Sequence, residues 1–153
     1  LLGSEEALSL DPEQWSRRMA DPRVRIDMAR AGVDDPLDVL AMLRAGEREV
    51  DQLVQGGGSN TDDNARVEFS APKALFLETQ AANLGMLDRL GTDPVAYLSA
   101  QPDRDGADRL RLDLARVWLA KGERRRAAAA ARSALQGPHA TDAQAILERA
   151  GTD

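Results

Sequence analysis

Cysteine is absent from this chain of 153 residues, which excludes disulfide frameworks, thiolate zinc sites and cysteine nucleophiles together and permits a reducing compartment. Aromatic residues make up only 3%, so a core must be assembled from Leu, Val, Ile, Met and Ala, a palette that suits close helix packing better than a β-sandwich. There is one histidine, with no Cys or carboxylate spaced to complete a ligand set around it, and it is not placed to activate Ser4, Ser9 or Ser59 by any recognisable motif. No apolar run approaches the roughly 18 residues of a membrane-spanning helix, and no charged-then-apolar leader opens the chain. Basic excess is lacking too: the net charge is -6, which argues against a general nucleic-acid binder, since phosphate neutralisation needs a basic surface.

What is present is a composition of 42% hydrophobic and 30% charged residues, that of a globular chain with one or two small domains. Helix starts are punctuated by Asp-Pro pairs at Asp11-Pro12, Asp21-Pro22, Asp35-Pro36 and Asp93-Pro94. The Asp side chain can accept from the orphan N–H groups of a first turn, while Pro at the first helical position surrenders an N–H that would be unpaired anyway. The pattern predicts helices near 12–20, 22–31, 36–44 and 47–54, with Gly32 and Gly46 as stops. Gly56-Gly57-Gly58-Ser59 then predicts a loop or hinge. Val67 and Phe69 alternate with Arg66, Glu68 and Ser70, which predicts a strand over 65–70. Leu1-Leu2-Gly3-Ser4 reads as the end of a buried strand, so the chain is expected to be a piece of something larger. A strand at 65–70 needs ladder partners, from Leu1-Leu2, from the missing part or from a second copy, and a homodimer is one expectation.

The second half reads as helices at 72–90, 93–99, 105–121, 123–136 and 141–150. Leu110, Leu114, Val117 and Trp118 fall on one stripe of the third. Over 108–136, Leu114, Ala115, Trp118, Gly122, Ala127, Ala131, Ala134, Leu135 and Pro138 are spaced much as in a tetratricopeptide repeat, which this stretch resembles. An ordinary αα-hairpin with a small-residue interface stands beside that reading. The fold class expected is therefore mainly α: short capped helices, one or two strands, then an antiparallel helical-repeat-like bundle.

No catalytic set is visible. Asn60, Asp62 and Asn64 sit at the first, third and fifth positions of a calcium loop, but Ala65 replaces its glycine and Ala71 its bidentate glutamate, so an Asx-turn is the expectation and no metal is expected. His139, in a Gly-Pro-His-Ala turn, reads as a solvated turn residue. Residues 104–126 hold eight basic residues against four acidic ones; Arg124, Arg125 and Arg126 are the candidate partner-binding residues, or else a solvated helix face.

The order Leu1-Leu2-Gly3-Ser4, Asp-Pro-capped helices, Asn60-Thr61-Asp62-Asp63, Val67-Glu68-Phe69 and Ala71-Pro72 resembles the C-terminal part of spermidine synthase-like proteins. These are polyamine aminopropyltransferase relatives, often fused to a transporter-like membrane domain. The resemblance covers roughly residues 1 to 90, and about 14 of them carry it. It implies that 1–70 ends a methyltransferase-like, Rossmann-like sheet and that 71–153 is a tetratricopeptide-like tail. It also implies that Asn60, Thr61, Asp62, Asp63 and Glu68 are signature positions, and that the upstream catalytic portion of the same polypeptide is a partner. The family often carries a proline where this chain has Ala65. Under this reading the piece is non-catalytic, binds no cofactor itself, completes the fold and covers the site of a transferase parent. It would be cytoplasmic, even where the parent is membrane-anchored. The alternative function is a helical-repeat module that binds a protein or peptide.

Overall fold

The computed structural model describes residues 7–55, 57 and 79–151. The Asp-Pro punctuation does locally what its chemistry requires. Asp11 accepts from the Gln14 N–H at 2.9 Å and opens α1 (Pro12–Met19); Asp21 accepts from the Arg23 N–H at 2.8 Å and opens α2 (Pro22–Arg30). Asp35 caps α3 (Pro36–Met42) through the Leu37 N–H, while Asp38 reaches back to the Asp34 and Asp35 N–H groups, so both ends of that first turn are satisfied. The fourth pair, Asp93-Pro94, opens a single 3₁₀ turn (Pro94–Tyr97) instead of the helix expected over 93–99. The remaining helices are α4 (Glu47–Val54), α5 (Gln80–Arg89), α6 (Arg104–Ala120), α7 (Arg124–Ser133) and α8 (Ala140–Ala150).

The described residues are all-α, with no strand among them. Their one β-type contact is an isolated parallel bridge between Leu10 and Leu98, in which Leu10 N–H donates to Tyr97 O and Ser99 N–H to Leu10 O at 2.7 and 2.8 Å. Leu1-Leu2, the strand expected at 65–70 and the first part of the helix expected from 72 lie outside the described residues. No described helix is long and apolar enough to cross a membrane.

Packing centres on α6, α7 and α8. The α6–α7 hairpin turns at Gly122, whose φ of 77° is the left-handed conformation that glycine adopts without strain. Ala115, Ala127 and Ala131 are fully buried between the helices, and side chains of one methyl let the axes approach closely. Leu112, Leu114, Trp118 and Ile146 complete the core, and Leu40 and Ala41 of α3 and Val95 and Leu98 of the 3₁₀ segment join the same cluster. α3 therefore shares a core with the C-terminal bundle, and Trp15 of α1 packs against it. Of the predicted stripe on α6, Leu114 and Trp118 are buried and Leu110 and Val117 half-buried. Leu135 and Pro138 of the repeat-like pattern are exposed.

Gly46 is not a helix stop. It precedes α4 with φ of -103°, and a Cβ there would collide with the Tyr97 ring, so glycine is required by close approach and not by an unusual backbone angle. The same corner holds Glu49, whose carboxylate accepts from the Gly46 N–H at 2.8 Å and from the Tyr97 hydroxyl at 2.6 Å. Burial tends to raise the Glu49 carboxyl, but the Tyr97 and Gly46 hydrogen bonds outweigh it and hold the group below its ordinary value. Burial, reinforced by the Glu49 hydrogen bond and charge, pushes the Tyr97 phenol up from 10.0 to about 12.

These opposite shifts fix a pH window. Tyr97 contributes fully below its unfolded value of 10.0, and the contribution is lost as pH rises through about 12. Glu49 contributes above its unfolded value of 4.5 and loses that contribution as pH falls through its lower folded value. Melting curves of the chain and of Tyr97→Phe should therefore differ by a constant margin at neutral pH, and the margin should shrink as pH climbs from 10 to about 12. A margin unchanged over that range would mean that the phenol–carboxylate contact contributes nothing.

Candidate functional site: an arginine-lined groove

The run Arg124-Arg125-Arg126 opens α7 with three chemically identical residues, and the fold gives them different surroundings. Arg126 is buried at 9% exposure. Its Nη1 donates to Ala41 O at 2.9 Å and to Glu123 Oε2 at 3.0 Å, its Nη2 donates to Leu43 O at 2.6 Å, and its guanidinium carbon lies 4.2 Å from the Trp118 ring centroid. Trp118 Nε1 donates to the same Ala41 carbonyl at 3.0 Å. Two side chains from the α6–α7 hairpin thus satisfy carbonyls that α3 leaves open at its C-terminal end. Burial lowers the Arg126 guanidinium from its ordinary value, with the nearby Arg44 charge adding to that effect and Glu123 opposing it. Arg126 is therefore a structural staple and not a solvated residue, whereas Arg124 and Arg125 are exposed.

Arg44 extends the network. Its two terminal nitrogens bridge Asp88 at 2.8 Å and Glu123 at 2.6 Å, which ties α5 to the start of α7, and its carbonyl accepts from the Thr92 hydroxyl at 2.7 Å. Arg111 of α6 holds Asp93 through Nε and Nη2 at 2.9 and 2.8 Å and Asp108 through Nη1 at 3.1 Å. Burial would lower the Arg111 guanidinium, but the Asp93 and Asp108 contacts outweigh burial and raise it. Both aspartates on this wall, Asp88 and Asp93, are consequently neutralised by arginines.

Between α5, the Gly91–Asp93 loop, α6 and α7 runs a groove of about 540 Å³. Its lining includes six arginines, Arg44, Arg89, Arg111, Arg125, Arg126 and Arg132, against two aspartates, and its floor includes Ala128 and Ala129. Arg44, Arg111 and Arg126 are engaged as described. Arg89, Arg125 and Arg132 are exposed, and none has an acidic partner among the described residues. The groove is a basic concavity on a chain whose net charge is -6.

Comparison with protein-family models, curated proteins and solved structures found no match to this chain. The groove's own chemistry is what bears on function.

Of the candidate residues raised by the sequence, Arg125 and Arg126 line the groove and Arg124 does not. The signature positions Asn60, Thr61, Asp62, Asp63 and Glu68 lie outside the described residues. His139 is half-buried, not a solvated turn residue: its Nε2 is 3.1 Å from Asp105 Oδ1, because the start of α8 is folded back beside the first turn of α6. Among the described residues, no group of three or more His, Asp or Glu side chains is placed to hold a metal ion. Sequence reasoning missed Arg44, Arg89 and Arg132 as members of a basic site. Spacing could have found one pairing, since Arg125 and Arg132 are seven apart and share a helix face; nothing local could have brought Arg44 and Arg89 to the opposite wall.

Proposed function

We propose that this chain is a non-catalytic helical interaction module whose arginine-lined groove holds an acidic segment of a partner protein. The observation that carries the reading is the set of three exposed guanidinium groups, Arg89, Arg125 and Arg132, around a groove whose own aspartates are already neutralised. An anionic ligand entering there meets positive charge without displacing an internal ion pair, so its carboxylates gain charge-assisted hydrogen bonds at little cost to the fold. The repeat-like spacing over 108–136 supports the same class of function, since paired antiparallel helices present rigid faces for peptide capture.

Binding of a fluorescein-labelled oligoglutamate, followed by anisotropy at low salt, tests this reading. Affinity should fall steeply with added salt. It should disappear when Arg125→Glu and Arg132→Glu are combined, while the melting temperature stays within a few degrees of the parent because both residues are exposed. Equal binding by the parent and the double variant would sink the groove as the site.

The resemblance to spermidine synthase-like proteins favours a companion reading in which the same module sits against the upstream catalytic portion of its polypeptide. The Asp-Pro caps that order α1, α2 and α3 are the described part of that resemblance. Under it, the isolated chain should transfer no aminopropyl group from decarboxylated S-adenosylmethionine to putrescine. Turnover by the chain alone would remove the non-catalytic reading.

A further inference from the structure

No residue of α2 or α4 is buried, although both helices carry branched apolar side chains. On α2, Ile26 is 53% exposed, and Ala29, three positions on, shares its face. Successive residues are about 100° apart around a helix axis, which puts Arg23 and Arg25 on opposite sides of Ile26. On α4, Val50 and Val54 are 45% and 59% exposed and stand one above the other at i and i+4. Glu47 and Asp51, also exposed, form the neighbouring i, i+4 row, and Arg48 lies beyond that row, away from the valines. Among the described residues, Arg23, Arg25, Glu47 and Asp51 take part in no ion pair, although exposed pairs form nearby between Arg17 and Glu13 and between Arg30 and Asp27.

The two faces are complementary: α2 shows an apolar patch flanked by guanidinium groups, and α4 an apolar row flanked by carboxylates. Both are exposed, so they do not meet within one copy. We infer that the chain self-associates, with α2 of one copy docked on α4 of a second copy. Ile26 and Ala29 cover Val50 and Val54, which removes apolar surface from water, while Arg23 and Arg25 face Glu47 and Asp51. No native ion pair is broken in the process. Copies of a chain of net charge -6 repel where their acidic surfaces meet, and the basic face of α2 is what turns that repulsion into attraction. One contact between helices of nine and eight residues is smaller than the ~1,200–2,000 Å² of a stable interface, so the association is weak and sensitive to salt. None of these residues lines the arginine groove, which leaves the two surfaces separable by mutation.

Sedimentation velocity of the whole chain, over a concentration series reaching about 1 mM as weak complexes require, tests the pairing. The sedimentation coefficient should rise with concentration at low salt, and added salt should suppress the rise. Arg23→Glu combined with Arg25→Glu, and separately Glu47→Lys combined with Asp51→Lys, should each weaken self-association by at least about tenfold, because like charges then face each other. An equimolar mixture of the two double variants should associate again, since each now offers the other opposite charge at both kinds of contact. That rescue separates lost pairing from lost folding. A parent that stays monomeric throughout, reversals that change nothing, or a mixture that fails to associate would each overturn the inference. A monomeric chain that instead cosediments with phosphatidylserine vesicles, and stops doing so when Arg23 and Arg25 are reversed, would assign α2 to an anionic membrane surface in place of a second copy.

Discussion

Replacing Trp118 by alanine is expected to remove about 3–5 kcal/mol of stability, the usual cost of truncating a buried Trp. That is a large part of the ~5–15 kcal/mol available to a domain. Trp118 is 3% exposed, belongs to the central cluster, donates to Ala41 O from another helix and carries the Arg126 guanidinium on its face. Truncation therefore opens a cavity, removes a buried hydrogen bond and leaves Arg126 without its stacking surface. Trp118→Phe separates these effects: it retains most of the ring volume, and Ala41 O still accepts from Arg126, so its cost should be nearer ~1 kcal/mol. Urea denaturation followed by circular dichroism measures both variants, and a midpoint for Trp118→Ala close to that of the parent would show that the core does not depend on this residue.

The second large effect separates neighbours of identical chemistry. Arg126→Ala should destabilise by about 3–5 kcal/mol, because breaking a buried charged network leaves its remaining members unpaired. Here those members are the Leu43 carbonyl and one oxygen of Glu123. Arg126→Met, which keeps an apolar stem of similar length, should be nearly as destabilised, since the loss lies in hydrogen bonds more than in packing. Arg126→Lys should recover only part, because an ammonium cannot reproduce the planar fork that bridges two carbonyls while lying over an indole. Arg125→Ala, one residue away and exposed, should change stability by less than ~0.5 kcal/mol. Urea midpoints for the four variants give the comparison; equal effects at 125 and 126 would mean that the contacts to α3 contribute nothing.

The helix boundaries were legible because their causes are local. An Asp carboxylate capping a first turn reaches an N–H two or three residues away, and the expected starts at 12, 22 and 36 agree with the structure. The same chemistry at Asp93-Pro94 gave a cap but not a full helix: Leu98 leaves the helical conformation and pairs in parallel with Leu10, a contact across most of the chain. The residue type of Gly46 alone predicts a stop, whereas its role is set by the Tyr97 ring folded against it. His139 has Asp142 three residues away in sequence, yet the carboxylate beside it is Asp105, 34 positions earlier, brought there by the packing of α8 against α6.

The sequence by itself determined that the described chain is helical, where most of those helices begin and end, and which small residues of α6 and α7 can be buried between them. These follow from caps and periodicity that act within one or two turns. Only the tertiary structure decided which arginine of Arg124-Arg125-Arg126 becomes a staple and which two neutralised aspartates leave Arg89, Arg125 and Arg132 around a groove. The reason is physical: an arginine's role is set by the carbonyl or carboxylate it reaches, and Arg126 reaches one 85 residues away.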